Sequence, residues 1–210
     1  MFKILIADDH ALVREGLKKI LKSETDMLVA GEAQNATEVL EHVKTTPPDI
    51  VLLDISMPGM SGLDVLKELK QLYPRLPVLI LSMHPEDRFA IRALKAGAAG
   101  YITKESAVGA LVDAIRKIAA GGKYVSPALA ERLAVEMEQD TVKPLHENLS
   151  DREFQVMRLI ASGKKVSEIA PELHLSISTV NTYRARVLEK MKLQSNVELT
   201  RYAMENKLID

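Results

Sequence analysis

The sequence predicts an α/β chain, a doubly wound five-stranded parallel sheet followed by a second, all-α domain of four helices. Two observations carry this. Short apolar runs alternate with helical patterns five times in the first part of the chain, and four further helical patterns then follow with no strand-like run between them. The runs are also continuously apolar rather than alternating, as expected of strands buried on both faces by helices.

In order, KILIA precedes a helical pattern over 10–22, MLVAGEA one over 36–45, DIVLLD one over 62–72, PVLIL one over 86–96 and AGYIT one over 106–120. Gly121 and Gly122 then stop the last helix, so the first domain is expected to span 1–121. Residues 122–147 carry Pro127, Pro144 and mixed charge, a linker composition. Within them PALAERLAVEM keeps helical spacing at Leu129, Leu133 and Met137, which predicts one short linker helix.

The second domain, 148–210, opens on a capping box: Ser150 precedes the apolar pattern and Glu153 follows three residues on. That helix ends at Gly163, and further patterns cover about 167–174, 177–191 and 195–206. Pro171 would cost a helix interior about 3 kcal/mol. The second helix is therefore expected to start late, near Ser167, and to be short or distorted.

Composition narrows the chemistry. With 210 residues, 47% hydrophobic and 27% charged, the chain has the make-up of an ordinary globular protein. It has no cysteine, which excludes disulfides, thiolate nucleophiles and the usual zinc sites. The N-terminal apolar run meets two aspartates at once, so neither a secretory signal nor a membrane span is expected, and the cytoplasm is the expected location. The net charge of −1 hides a local excess: residues 176–192 hold Arg184, Arg186, Lys190 and Lys192 against Glu189 alone.

In a doubly wound sheet the loops at the carboxyl ends of the strands converge on one crevice. Asp8 and Asp9 end the first strand and Asp54 the third, and in the flavodoxin-like order 2-1-3-4-5 those strands are neighbours. Carboxylates about 4 Å apart repel by roughly 4 kcal/mol per pair at an effective dielectric near 20, so such a site calls for a divalent cation. Oxygen ligands alone point to Mg²⁺. Ser82 ends the fourth strand and Lys104 follows the fifth, adding a hydroxyl and a cation. A nucleophilic carboxylate, a metal and a fixed positive charge are what phosphoryl transfer to a carboxylate requires. His10 and His84 flank the site, and His10 is as well suited to opening a helix. Pro58 and Gly59 shape the loop after Asp54.

Through ADDH, LLDISMPGMSG, LSMH and GYITKE, in that order, residues 2–120 resemble the receiver domain of two-component response regulators. The resemblance implies that Asp54 is the phosphoacceptor and that Asp9, Asp54 and the Ser56 backbone carbonyl ligate Mg²⁺, with Asp8 holding a water on the ion. It further implies that Ser82 and Lys104 contact the phosphoryl oxygens, that Tyr101 moves with Ser82 as a switch, and that a sensor histidine kinase is the donor. Glu105 stands after the lysine where many receivers have proline.

Residues 149–210 resemble the LuxR-type helix-turn-helix domain, through LSDREFQVMRLIASG, EIAPELHLSISTVNTY and LEKMKLQSNVEL, so the whole chain resembles response regulators of the NarL/FixJ group. Ser176 or Ser178 would cap the helix that enters the major groove. Val180, Val187, Leu188 and Met191 would face inward. Asn181 and Thr182 would reach base edges, and Ser178, Thr179, Tyr183, Arg184, Arg186 and Lys190 would line the DNA, mostly at phosphates. Many relatives have lysine at the position of Asn181. The resemblance also implies a homodimer on a pseudo-palindromic double-stranded operator, with Val197, Leu199 and Tyr202 at the dimer contact. RNA polymerase is a further partner compatible with that role.

The expected function is phosphorylation-controlled transcription regulation without enzymatic turnover. Two alternatives stand beside it: an Mg²⁺-dependent phosphatase with an aspartyl-phosphate intermediate, and a nucleic-acid-binding module independent of phosphorylation. The first lacks a second carboxylate two residues after Asp54, where Ser56 stands, and the second leaves the acidic cluster without a use.

Overall fold

A computed structural model describes residues 1–57, 60–83, 86–138 and 144–209, apart from the side chains of 86–88, 108 and 135–138. His84, Pro58, Gly59 and the side chain of Met137 lie outside the described residues. The chain divides into two compact units, Met1–Gln139 and Asp140–Asp210.

In the first unit, β1 (Phe2–Ala7), β2 (Met27–Ala33), β3 (Ile50–Asp54), β4 (Val78–Ser82) and β5 (Gly100–Thr103) alternate with α1 (Ala11–Lys22), α2 (Ala36–Thr45), α3 (Gly62–Leu72), α4 (Glu86–Lys95) and α5 (Ala107–Ala119). All neighbouring strands are parallel, in the order β2-β1-β3-β4-β5. This is the flavodoxin-like order, and it makes β1 and β3 adjacent. Ile4, Ile6, Ile50, Leu52, Leu79, Leu81 and Ile102 bury one face of the sheet in a core with Leu17 and Leu21 of α1 and Leu111, Ile115 and Ile118 of α5. The residues that alternate with them, including Leu5, Val51, Leu53, Ile80 and Tyr101, are equally buried and face the opposite layer.

The first unit runs beyond residue 121, the end expected from the glycine pair. Tyr124 donates its N–H to the Ala99 carbonyl at 2.8 Å and forms a parallel bridge with Gly100 at the β5 edge. A Cβ on Gly100 would lie 2.7 Å from the Tyr124 carbonyl, so glycine permits this approach. The expected linker helix, α6 (Pro127–Glu138), then packs on α4 and buries Leu129. Apolar contact has drawn the linker helix into the first unit.

The second unit contains α7 (Asp151–Ala161), α8 (Val166–Glu172), α9 (Ile177–Lys190) and α10 (Asn196–Glu205). The capping box at Ser150 forms in both directions, with Ser150 N–H donating to Glu153 Oε2 at 2.7 Å and Glu153 N–H to Ser150 Oγ. α8 is only seven residues long and carries Pro171 in its last turn, where the missing N–H leaves out the bond to the Ser167 carbonyl. Ser176 caps α9 by accepting the Thr179 N–H. Val180, Val187 and Met191 are buried, with Leu188 half-buried, and α9 packs on α7 and α8, where Phe154, Met157 and Ile169 are buried as well. Truncating a side chain such as Phe154 would cost about 3–5 kcal/mol.

Candidate functional site: an acidic crevice and an exposed recognition helix

The carboxyl ends of β1 and β3 deliver Asp8 and Asp54 side by side, both fully buried. Asp9 follows in the β1–α1 turn and His10 opens α1 as its N-cap residue. One ligand atom from each of these four side chains lies within 4.8 Å of the others. Lys104 arrives from the end of β5, where its N–H donates to the Ser82 carbonyl at 2.8 Å. Its ammonium sits 2.6 Å from Asp8 Oδ2 and 3.1 Å from Asp54 Oδ2. His10 Nδ1 lies 2.9 Å from Asp9 Oδ1 and 3.2 Å from Asp8 Oδ1.

Electrostatics follow from this crowding. Burial raises the Asp54 pKa to about 6 against the opposing charge of Lys104, with the neighbouring Asp8 adding to the rise and a backbone hydrogen bond from Ser56 holding it down. Lys104 is pulled down by its own burial, yet the carboxylates of Asp54 and Asp8 leave it above its ordinary value. Three carboxylates against one ammonium leave an excess of negative charge in a place shielded from water. The donor set is oxygen with one exposed imidazole at the rim, and this fits a hard divalent cation such as Mg²⁺.

Of the other residues singled out in the sequence, Ser82 is fully buried at the end of β4, and Tyr101 is fully buried within β5, near its start. Ser56 is half-buried in the β3–α3 loop, and the Lys104–Glu105 peptide is trans. The sequence reading passed over two residues that shape the crevice. Gly62 starts α3 directly over the Asp54 backbone: a Cβ there would lie 2.0 Å from the Asp54 carbonyl oxygen, and its N–H donates to the Ile55 carbonyl at 2.9 Å. Its only sequence signal is the Ser61–Gly62 pair at a helix start, where Ser61 Oγ accepts the Asp64 N–H. The other is Arg14, whose Nη1 donates to the Asp8 carbonyl at 2.8 Å.

In the second unit, α9 presents Ser178, Asn181, Thr182 and Arg186 to solvent, with Thr179, Tyr183 and Arg184 half-buried. Arg184 Nε donates to Asn196 Oδ1 at 2.7 Å, tying α9 to α10. The Lys190 ammonium donates to Glu153 Oε2 at 2.7 Å, with its side chain 42% exposed. On α10 one expectation is corrected: Leu199 is fully buried inside the unit and is no surface contact. Val197 and Leu199 are two residues apart, and such positions do not share a helix face. Val197 and Met204 are exposed together with Arg201, while Tyr202 is half-buried with its hydroxyl 3.0 Å from His146 Nδ1.

Comparison with known proteins agrees with this two-part organisation. Residues 4–116 match the response regulator receiver domain family, and residues 147–203 match the luxR family of bacterial regulatory proteins. The response regulator GacA of Pseudomonas syringae is 39% identical, over 100% of this chain and 99% of its own. The response regulator UvrY of Escherichia coli is 35% identical, over 99% of this chain and 96% of its own. Among solved structures, the RcsB–DNA complex aligns over 100% of this chain and 99% of its own, with a TM-score of 0.61 and 25% identity. A LuxR-family regulator from an Aurantimonas species aligns over 66% of this chain and 99% of its own, with a TM-score of 0.61 and 36% identity. With an aspartate crevice in a receiver-type sheet and a luxR-type helical unit later in the sequence, matched along their full length by curated relatives, this chain belongs to the response regulator family.

Proposed function

We propose that Asp54 accepts a phosphoryl group from the phosphohistidine of a sensor histidine kinase, and that the modified receiver controls dimerisation and operator binding in the cytoplasm. The observation that supports this best is the buried Asp54 carboxylate, with the Lys104 ammonium 3.1 Å from it and Asp8 and Asp9 beside it. The Asp54 oxygen attacks phosphorus, forming a P–O bond as the P–N bond breaks and the histidine nitrogen leaves with the electron pair. Asp9, Asp54 and the Ser56 carbonyl would hold Mg²⁺, with Asp8 acting through a water. When bound, the ion neutralises charge on the phosphoryl oxygens. Lys104 and the Ser82 hydroxyl meet those oxygens, and Tyr101 follows Ser82 as the switch. The chain acts as a phosphoacceptor and not as a turnover enzyme.

DNA recognition falls to α9. Asn181 and Thr182 reach base edges, while Ser178, Thr179, Tyr183, Arg184, Arg186 and Lys190 serve the backbone, Lys190 sharing its ammonium with Glu153. RcsB has been solved as a complex with DNA, which supports the same role for the corresponding helix here. The dimer contact on α10 is assigned to Val197 and Met204, the exposed apolar pair one face of that helix presents.

The deciding experiment is labelling with Mg²⁺ and acetyl phosphate. The parent protein should gain one hydroxylamine-sensitive acyl phosphate and Asp54→Asn none. Equal labelling of the two proteins would refute the assignment.

A further inference from the structure

We infer that Arg14 is a positioning residue for the metal-binding turn, fixing the Asp8–Asp9 peptide through the Asp8 carbonyl. The inference rests on the Mg²⁺ reading of the acidic crevice. Arg14 lies in the first turn of α1 with its side chain 10% exposed, an uncommon burial for a guanidinium. Its Nε donates to Glu32 Oε2 at 3.0 Å and its Nη1 to the Asp8 carbonyl at 2.8 Å.

A plain tie between α1 and β2 would put both guanidinium donors on Glu32, the bidentate geometry that arginine favours. Here Lys18 takes the second Glu32 oxygen at 2.7 Å. The Arg14 fork is therefore split between a carboxylate and a main-chain carbonyl at the crevice. That carbonyl belongs to the peptide joining Asp8 to Asp9. Strand pairing of β1 ends at Ala7, and beyond it the Asp8 N–H is held by the Ala33 carbonyl at 3.0 Å. The Asp8 side chain is held by the His10 N–H at 2.9 Å and by Lys104. Arg14 supplies the remaining restraint, and the plane of the peptide it grips sets the direction in which Asp9 leaves the turn. Groups that orient metal ligands from behind in this way typically change metal affinity by about 10–100-fold when removed.

The test is calorimetric titration of the metal-free full chain with Mg²⁺, alongside its thermal midpoint in EDTA and the Mg²⁺ dependence of acetyl phosphate labelling. Arg14→Ala should raise the Mg²⁺ Kd about tenfold while keeping the maximal labelling rate at saturating Mg²⁺. Arg14→Lys keeps the charge but cannot span both acceptors, and should raise Kd by about threefold; it carries the test if the alanine variant does not fold. A lowered thermal midpoint with Kd unchanged within twofold in a folded variant would show a purely structural tie and overturn the inference alone. Absence of Mg²⁺ binding by the parent protein would overturn it together with the metal reading.

Discussion

Lys190, near the end of the helix assigned to DNA, and Glu153, in the first turn of the unit's first helix, meet at 2.7 Å on the same carboxylate oxygen that accepts the Ser150 N–H. Glu153 is 3% exposed. Burial pushes its carboxyl up, but the hydrogen bonds from Lys190 and Ser150 prevail and hold it below its ordinary value. A depressed carboxyl stabilises the fold fully above the unfolded value, near 4.5, and that contribution disappears as pH falls through the lower folded value. Lys190→Ala should therefore lower the thermal stability of the second unit at neutral pH by the equivalent of about 1 kcal/mol. The difference from the parent should shrink as pH falls below 4.5. Equal melting of the two proteins at pH 7 would show that the pair contributes nothing.

The crevice should show the opposite sign. Because burial raises Asp54 to about 6, its ionised form is less favourable in the folded chain than in the unfolded one. Metal-free stability should then decline as pH rises from about 4 through 6, and Asp54→Asn should be more stable than the parent in EDTA at pH 7.5. The gain is on the order of 1–3 kcal/mol. Saturating Mg²⁺ should narrow the gap by stabilising the parent more than the variant. Melting curves with and without the ion decide it, and a less stable Asp54→Asn protein in EDTA would contradict the charge argument.

Gly62→Ala tests the loop over Asp54. The added methyl would sit 2.0 Å from the Asp54 carbonyl oxygen, and backbone on both sides has little freedom to yield. A loss of about 2–3 kcal/mol is expected from overpacking at such a site, together with weaker Mg²⁺ binding. Gly16→Ala is the control, since nothing lies within 4 Å of a Cβ there. Indistinguishable melting of Gly62→Ala and the parent would show that the loop relaxes freely.

Four of the strands were legible as apolar runs, β2 less so because MLVAGEA carries Gly31 and Glu32, and the acidic cluster was legible because Asp8, Asp9, Asp54, Ser82 and Lys104 all stand at or just past strand ends. The Ser150 capping box could also be read from spacing alone. Contacts between distant segments could not. Arg14 reads as one more helix cation until Glu32 and the Asp8 carbonyl come beside it. The β2 bulge, where Leu5 pairs with Gly31 after Ile4 pairs with Val29, has no local signal beyond the glycine. Helix ends were legible from where the apolar spacing stops, but the left-handed residue that closes a helix was legible only where it is glycine. Gly163 closes α7 at a positive φ, but His174, Lys192 and Lys207 take the same left-handed position after α8, α9 and α10 without one.

The α10 surface separates burial from assembly. Leu199→Ala should destabilise the second unit by about 2–5 kcal/mol, as a fully buried leucine does. Val197→Asp alters a residue 78% exposed and should leave melting unchanged while reducing dimer formation on DNA. Sedimentation of the phosphorylated chain with an operator duplex reads the second effect. A Val197→Asp protein that assembles like the parent would remove this face from the dimer contact.

The last prediction concerns the division of labour along α9. Each phosphate contact releases counterions, so removing one should weaken binding to all sequences and reduce the salt slope by about 1. Arg186 is exposed on α9 and assigned to a phosphate, so Arg186→Ala should show the full change. Lys190 is paired with Glu153 in the free domain, so the charge it would bring to a phosphate is already partly compensated by a buried carboxylate. Lys190→Ala should therefore change the slope by clearly less than Arg186→Ala, with its main effect on stability. Asn181→Ala and Thr182→Ala should instead relax preference at particular base pairs, by roughly 1–3 kcal/mol for a bidentate contact. Titrations at several fixed salt concentrations, on one operator and on scrambled DNA, distinguish the three behaviours. A Lys190→Ala protein losing a full unit of slope would mean that DNA displaces Glu153, and the ion pair would then be a feature of the unbound domain only.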